Sequence, residues 1–177
     1  MFRPSVDDHR VVGLYTGKIV SGVGLLMILP LVTALVFREW DTAIDFGIGL
    51  AVCLTVGLGL QALCRTTHEL QRRHGLVVVS TSWILATALG AIPLYLSGHM
   101  GSYLDAVFDV MSGLTTTGLY LMQDLDHVSN GLNMWRFLLT FAGGQGIVVI
   151  ALTFLFRGGG AIFHLYAGEG KDESDAH

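Results

Sequence analysis

Apolar residues in this chain come in long unbroken runs rather than at the spacing of an amphipathic helix or a half-buried strand. Runs of about 18 or more uncharged residues, rising about 1.5 Å each as helix, can cross a hydrocarbon core of about 30 Å. Four stretches meet that test: Ile19 to Phe37, Thr42 to Cys64 (broken only by Asp45), Gly75 to Gly98, and Phe137 to Phe156. Extended to the neighbouring polar residues, they predict spans over about 15–37, 42–64, 75–98 and 133–157. A fifth apolar stretch, Val110 to Met122, is too short to cross. Pro30 lacks an N–H and clashes with the preceding turn, so it should kink the first span. The expected fold class is therefore all-α transmembrane with four spanning helices.

Composition agrees with the pattern: 52% of the 177 residues are hydrophobic, 14% are charged, and mean hydropathy is +0.61. That is too apolar for an ordinary soluble domain of this size. The net charge of −4 says less than the placement of the basic residues. Arg3, Arg10 and Lys18 precede the first span, Arg65, Arg72 and Arg73 separate the second and third, and Arg157 and Lys171 follow the fourth. The other loops hold only Arg38 and Arg136 against Glu39, Asp41, Asp105, Asp109, Asp124 and Asp126. By the positive-inside rule both termini are cytoplasmic, in a multi-pass protein of the cell membrane. Cys53 and Cys64 lie too far apart along one helix for a disulfide. Asp7, Asp8 and the late start of the first apolar run do not fit a cleavable signal peptide.

The basic segment Cys64 to His74 divides the chain. Residues 1–72 form a transmembrane hairpin with a turn at Arg38 to Asp41, where Trp40 suits the membrane interface. Gly13, Gly17, Gly47, Gly49, Gly57 and Gly59 are spaced for close helix approach, which is how helices pack in lipid. Residues 73–160 read as helix, short helix, Gly/Thr segment, acidic loop, helix, and 161–177 as a cytoplasmic tail. Ser102 should cap a helix over about 103–113, with Asp105 and Asp109 near its positive end. About ten residues make about 15 Å, so this helix enters the bilayer without crossing it.

The segment after it, 114–119, is poor in helix formers, rich in threonine, and holds Gly118. Non-helical backbone at membrane depth is tolerated only where it is buried in protein or lines a wet path. Carbonyl oxygens turned into such a path can replace the hydration shell of a potassium ion.

Phe108-Asp109-Val110-Met111-Ser112-Gly113-Leu114-Thr115-Thr116-Thr117-Gly118, followed by Trp135-Arg136 and Gly143-Gly144-Gln145-Gly146-Ile147, resembles the first repeat of the Trk/Ktr/HKT superfamily of potassium transporters. The resemblance runs from Gly75 to about Gly170, and the two preceding helices look like the extra hairpin of bacterial Trk-type members. It implies monovalent cation transport with an ion-coordinating filter of Thr115, Thr116, Thr117, Gly118 and Leu119, and potassium held at Thr116, Thr117 and Gly118. A glycine at position 118 goes with potassium preference in this family and a serine there with sodium preference. Gly143, Gly144 and Gly146 would pack the last helix against its neighbours. No cofactor beyond bound potassium is implied, and the named partners are the bilayer and a cytoplasmic nucleotide-binding regulatory protein.

Superfamily members carry four such repeats around one axis, and a single Gly/Thr segment of this kind occurs here. The remaining repeats are expected from another chain of a split or truncated transporter, or from identical subunits in a homotetramer. The alternative is a non-conducting membrane subunit or remnant. Asp124 and Asp126 are either pore-mouth acids that concentrate cations or residues of a solvated loop. Asp45 reads as an interfacial acid, and Arg136 should pair with Asp105 or Asp109. The seven histidines show no metal-ligand spacing, and nothing resembles a nucleophile elbow, a phosphate loop or a nucleic-acid patch, so no enzyme and no nucleic-acid partner is expected.

Overall fold

Every regular element in the computed structural model, which describes residues 6–66, 72–122 and 128–157, is a helix. They are α1 (Val6–Leu26), α2 (Ile28–Val36), α3 (Trp40–Leu63), α4 (Arg72–Gly90), α5 (Ile92–Leu96), α6 (Tyr103–Leu114) and α7 (Asn130–Arg157). Among the described residues, three stretches are long and apolar enough to cross a membrane: Asp8–Val36, Trp40–Leu63 and Val77–Leu96. α7 is a further helix of 28 residues.

Two of these stretches are bent, each at a proline. Pro30 has no N–H to give the Leu26 carbonyl, and α1 ends at Leu26 before α2 resumes at Ile28. Pro93 does the same to Leu89, and the chain breaks at Ala91 between α4 and α5. The bends meet across α3. A side chain at Gly49 would stand 3.1 Å from the Pro93 ring and 3.2 Å from the Met27 sulfur, so glycine lets both bends seat against one helix.

The first helix starts at Val6, well before the expected residue 15, because a helix satisfies its own backbone and need not stop at the apolar boundary. α1 lies along α3 on small residues. A Cβ on Gly17 would come 2.7 Å from the Gly57 carbonyl oxygen, and one on Gly57 would come 2.9 Å from that of Gly17. Lipid supplies no hydrophobic force between helices, so backbone contact of this kind is what joins them. Gly59, by contrast, faces open space.

The hairpin and the later helices share one core. Met27, Phe46 and Cys53 pack with Ala86, Leu94, Val110, Leu132 and Trp135. α1 touches α4, whereas α2, beyond the bend, touches α7. The α2–α3 turn also reaches α7 through Glu39. Its Oε1 accepts from the Asn130 backbone N–H at 2.8 Å and its Oε2 from that of Gly131 at 3.1 Å. Ser129 Oγ accepts from Leu132 N at 3.3 Å, so three of the four free amides at the start of α7 have partners.

Gly57→Ala should lower the melting stability of the chain in lipid nanodiscs by about 1–3 kcal/mol through overpacking. Gly59→Ala should leave it unchanged or raise it by up to about 1 kcal/mol, since only helix propensity is at stake there. Equal losses for the two would refute the glycine seam.

Candidate functional site

Ser102 begins α6 in extended conformation, and its Oγ accepts from the Asp105 amide at 3.2 Å. The helix ends at Leu114, so Tyr103 to Tyr120 is not one continuous helix and Leu114 belongs to α6. Its end is closed by a Schellman arrangement. The Thr117 N–H donates to the Ser112 carbonyl at 2.9 Å and the Thr116 N–H to that of Gly113 at 3.0 Å. The residue between the helix end and Thr117 must be left-handed, and here it is Thr116, at φ 56°. A β-branched residue costs about 1–2 kcal/mol there, where glycine is the usual choice. Gly118 follows at φ 76°.

From Thr117 the chain runs back along α6 as a non-helical ribbon. The Leu119 amide donates to Ser112 Oγ at 2.8 Å, and the Leu121 amide to Asp109 Oδ1 at 2.8 Å, one turn nearer the start of the helix. Adding the Thr115 amide, which reaches the Met111 carbonyl at 2.8 Å, five N–H groups of residues 115–121 are bonded to α6. Among the described residues every peptide bond is trans, and in a trans unit the carbonyl points opposite to the N–H. The carbonyls of Leu114, Thr115, Thr116, Gly118 and Tyr120 therefore point away from their acceptors on α6. That of Leu114 lies against Gly143 of α7, where any side chain would collide with it. Among the described residues, the carbonyls of residues 115–121 accept no hydrogen bond. Thr116, Thr117, Gly118 and Leu119 are exposed.

Thr115 Oγ1 lies 2.8 Å from the Met111 carbonyl and 2.8 Å from Thr117 Oγ1, so the two hydroxyls are tied together. A side chain at Gly144 would meet Thr116 at ordinary contact distance, and one at Gly146 would face open space. Asp124 and Asp126 lie outside the described residues.

Behind the ribbon sits a buried charge pair. Asp109, with 1% of its side chain exposed, has Oδ2 at 3.7 Å from Nε of Arg136, which is 11% exposed. Of the two acids named from the sequence, Asp109 is the one that faces this arginine. The Arg136 guanidinium also lies 3.8 Å from the centre of the Tyr120 ring. Trp135, fully buried next to it, donates from Nε1 to the Gly90 carbonyl at 3.1 Å and meets Phe46 edge-on at 6.0 Å. The sequence reading had no place for Ser112, Glu39 or Ser129. A Ser just ahead of a helical run was the available signal for Ser129, but nothing local pointed to the other two.

The profile of the TrkH family, described as a cation transport protein, matches residues 43–173. The chain belongs to the TrkH cation transport protein family. It is 31% identical over 157 residues to an uncharacterised cation transporter of Methanocaldococcus jannaschii, covering 89% of this chain and 33% of that protein. The Trk system potassium uptake protein TrkI of Halomonas elongata is 30% identical over 155 residues, covering 85% of this chain and 31% of its own length. TrkH of Escherichia coli K12 is 33% identical over 148 residues, 82% of this chain and 30% of its own. The chain thus spans about a third of the length of these TrkH-family relatives.

Removing Arg136 alone leaves a buried carboxylate without its counter-charge. Arg136→Leu should destabilise the chain by about 3–5 kcal/mol, and the double variant Arg136→Leu/Asp109→Leu by markedly less. A double-variant cycle read by thermal unfolding in detergent checks this; strictly additive losses would refute the pairing.

Proposed function

We propose that this chain forms one repeat of a transmembrane potassium pathway, with the carbonyl edge of Thr115–Leu119 as its share of the filter. The observation that carries the reading is the division of the ribbon into two edges. Among the described residues, α6 takes up the amides of Thr115, Thr116, Thr117, Leu119 and Leu121, while the carbonyls of residues 115–121 accept no hydrogen bond and Thr116 to Leu119 are exposed. Unpaired carbonyls are unfavourable against lipid and favourable around a partly dehydrated cation. Thr116, Thr117 and Gly118 supply the ion's ligands on this reading, and Leu119 closes the filter at its outer end.

α6 then acts as a half-membrane helix that enters from the outer face, and α7 serves as the fourth crossing. Both termini lie in the cytoplasm of a cell whose membrane holds the protein, a reading that the basic residues of the 64–74 segment support. One ribbon supplies a quarter of a ring, so the remaining quarters come from other repeats. Names of the relatives support potassium as the cargo, since several are potassium uptake proteins. Gly118 supports the same ion, as the residue that goes with potassium preference among the transporters this sequence resembles. A cytoplasmic nucleotide-binding regulator is a further partner on the same grounds.

Expressed together with the companion repeats in cells that lack their own potassium uptake, the chain should restore growth at low potassium. Gly118→Ser should move the preference toward sodium. Absence of rescue, despite assembly of the chain in the membrane, would defeat the transport reading.

A further inference from the structure

Beyond its own C-terminal cap, α6 holds the ribbon at two points. Ser112 and Asp109 are three residues apart, on one face of the helix and about 4.5 Å along its axis. Leu119 and Leu121 are two residues apart in the ribbon, at most about 7 Å. The longer aspartate side chain covers the difference, and both contacts are 2.8 Å.

Neither acceptor is a surface residue. Ser112 is 5% exposed and Asp109 is 2% exposed, so each needs partners that water does not supply. Tyr120, between the two held amides, is covered by the Arg136 guanidinium, which also faces Asp109. The ribbon is therefore gripped at three consecutive residues from behind.

Resting on the transport reading, we infer that Ser112 and Asp109 are positioning residues for ion preference: Ser112 holds the Leu119 amide and thereby aims the Gly118 carbonyl, and Asp109 holds the Leu121 amide and so anchors the ribbon just beyond the filter. The two residues touch no ion. A carbonyl ring discriminates between cations by the number and direction of its oxygens. A peptide unit freed from Ser112 can rotate, and its oxygen leaves the ring.

Two measurements on the full chain test this. The first is amide hydrogen exchange in lipid nanodiscs, which is independent of transport. Leu119 and Leu121 should exchange at least tenfold more slowly than Gly118, and Ser112→Ala should remove the protection of Leu119 while sparing Leu121. The second is ion preference in the transport-competent assembly. Ser112→Ala should reduce potassium over sodium discrimination about fivefold to tenfold, the size of one lost buried hydrogen bond. Thr87→Val, a buried α4 change beside Met111, should leave discrimination unchanged.

The double variant Asp109→Asn/Arg136→Gln keeps an acceptor for Leu121 without a lone charge, and it should retain more discrimination than Asp109→Leu/Arg136→Leu. A Leu119 amide that exchanges as fast as that of Gly118 in the native chain overturns the clamp. Native discrimination in Ser112→Ala, with Leu119 deprotected, overturns its role in selectivity. A native assembly that takes up no potassium overturns the transport reading instead, while the exchange result still decides whether the clamp exists.

Discussion

A peptide group cannot leave either of its polar ends unpaired in lipid, and the packing around residues 115–121 is organised by that constraint. α6 takes one end of five successive or alternate peptide units, and by trans geometry this directs the other end elsewhere. The surrounding residues follow from that arrangement. Ser112 and Asp109 are polar inside a packed helix because they receive amides. Gly143 has no side chain because the Leu114 carbonyl occupies its place. Arg136 is buried because Asp109 is, and a buried carboxylate needs a cation nearby. Thr116 accepts an unfavourable φ because the chain must reverse there and Thr115 and Thr117 must meet.

The N-terminal hairpin takes part in this arrangement as more than an adjoining module. Glu39, from the α2–α3 turn, receives the first two amides of α7, the helix that carries Arg136 and Gly143. A carboxylate at a helix N-terminus gains from both the hydrogen bonds and the dipole. The bend at Pro30 brings α2 onto α7 while α1 stays on α4, so a single kinked helix spans the two sides of the later unit. Trp135 fills the space between, tied to the Gly90 carbonyl and edge-on to Phe46 of α3. Displacing the hairpin would therefore uncap α7 and loosen the support behind the ribbon.

Much of this was legible from residue order, because lipid imposes a strong one-dimensional code. Apolar run length pointed to the three stretches among the described residues that are long and apolar enough to cross a membrane, Pro30 to the break between α1 and α2, Ser102 to the start of α6, and the Thr/Gly string to the point where helix gives way to ribbon. Boundaries were less legible. α1 begins at Val6, nine residues before the expected span, since helical hydrogen bonding continues past the hydrocarbon edge. Contacts between distant residues were not legible at all. Glu39 looks like any turn acid, and its amides lie 91 residues away. Ser112 sits among small residues where a hydroxyl is unremarked until Leu119 folds back onto it. Arg136 was the exception, because an arginine at the head of an apolar helix needs an acid and few were in range.

The exposed face of the ribbon bears on how much of a working unit one chain can be. In addition to Thr116 to Leu119, the molecule exposes Leu104 of α6 and Phe137 and Phe141 of α7, at 76%, 74% and 67% of their surface. Lipid covers such apolar groups well, but it cannot cover free carbonyls, whose partners must be protein, water or ions. A surface that carries both kinds of group is therefore unsuited to either solvent alone. On the transport reading the contradiction resolves by geometry: neighbouring repeats bury the apolar side chains, and their own ribbons enclose the carbonyl edge around water and a cation. The order of events follows from the same energetics. α6 can hold the ribbon's amides within one chain, so the carbonyls are aimed before any neighbour arrives. Assembly then has only to bring aimed edges together, without having to build the filter at the moment of contact.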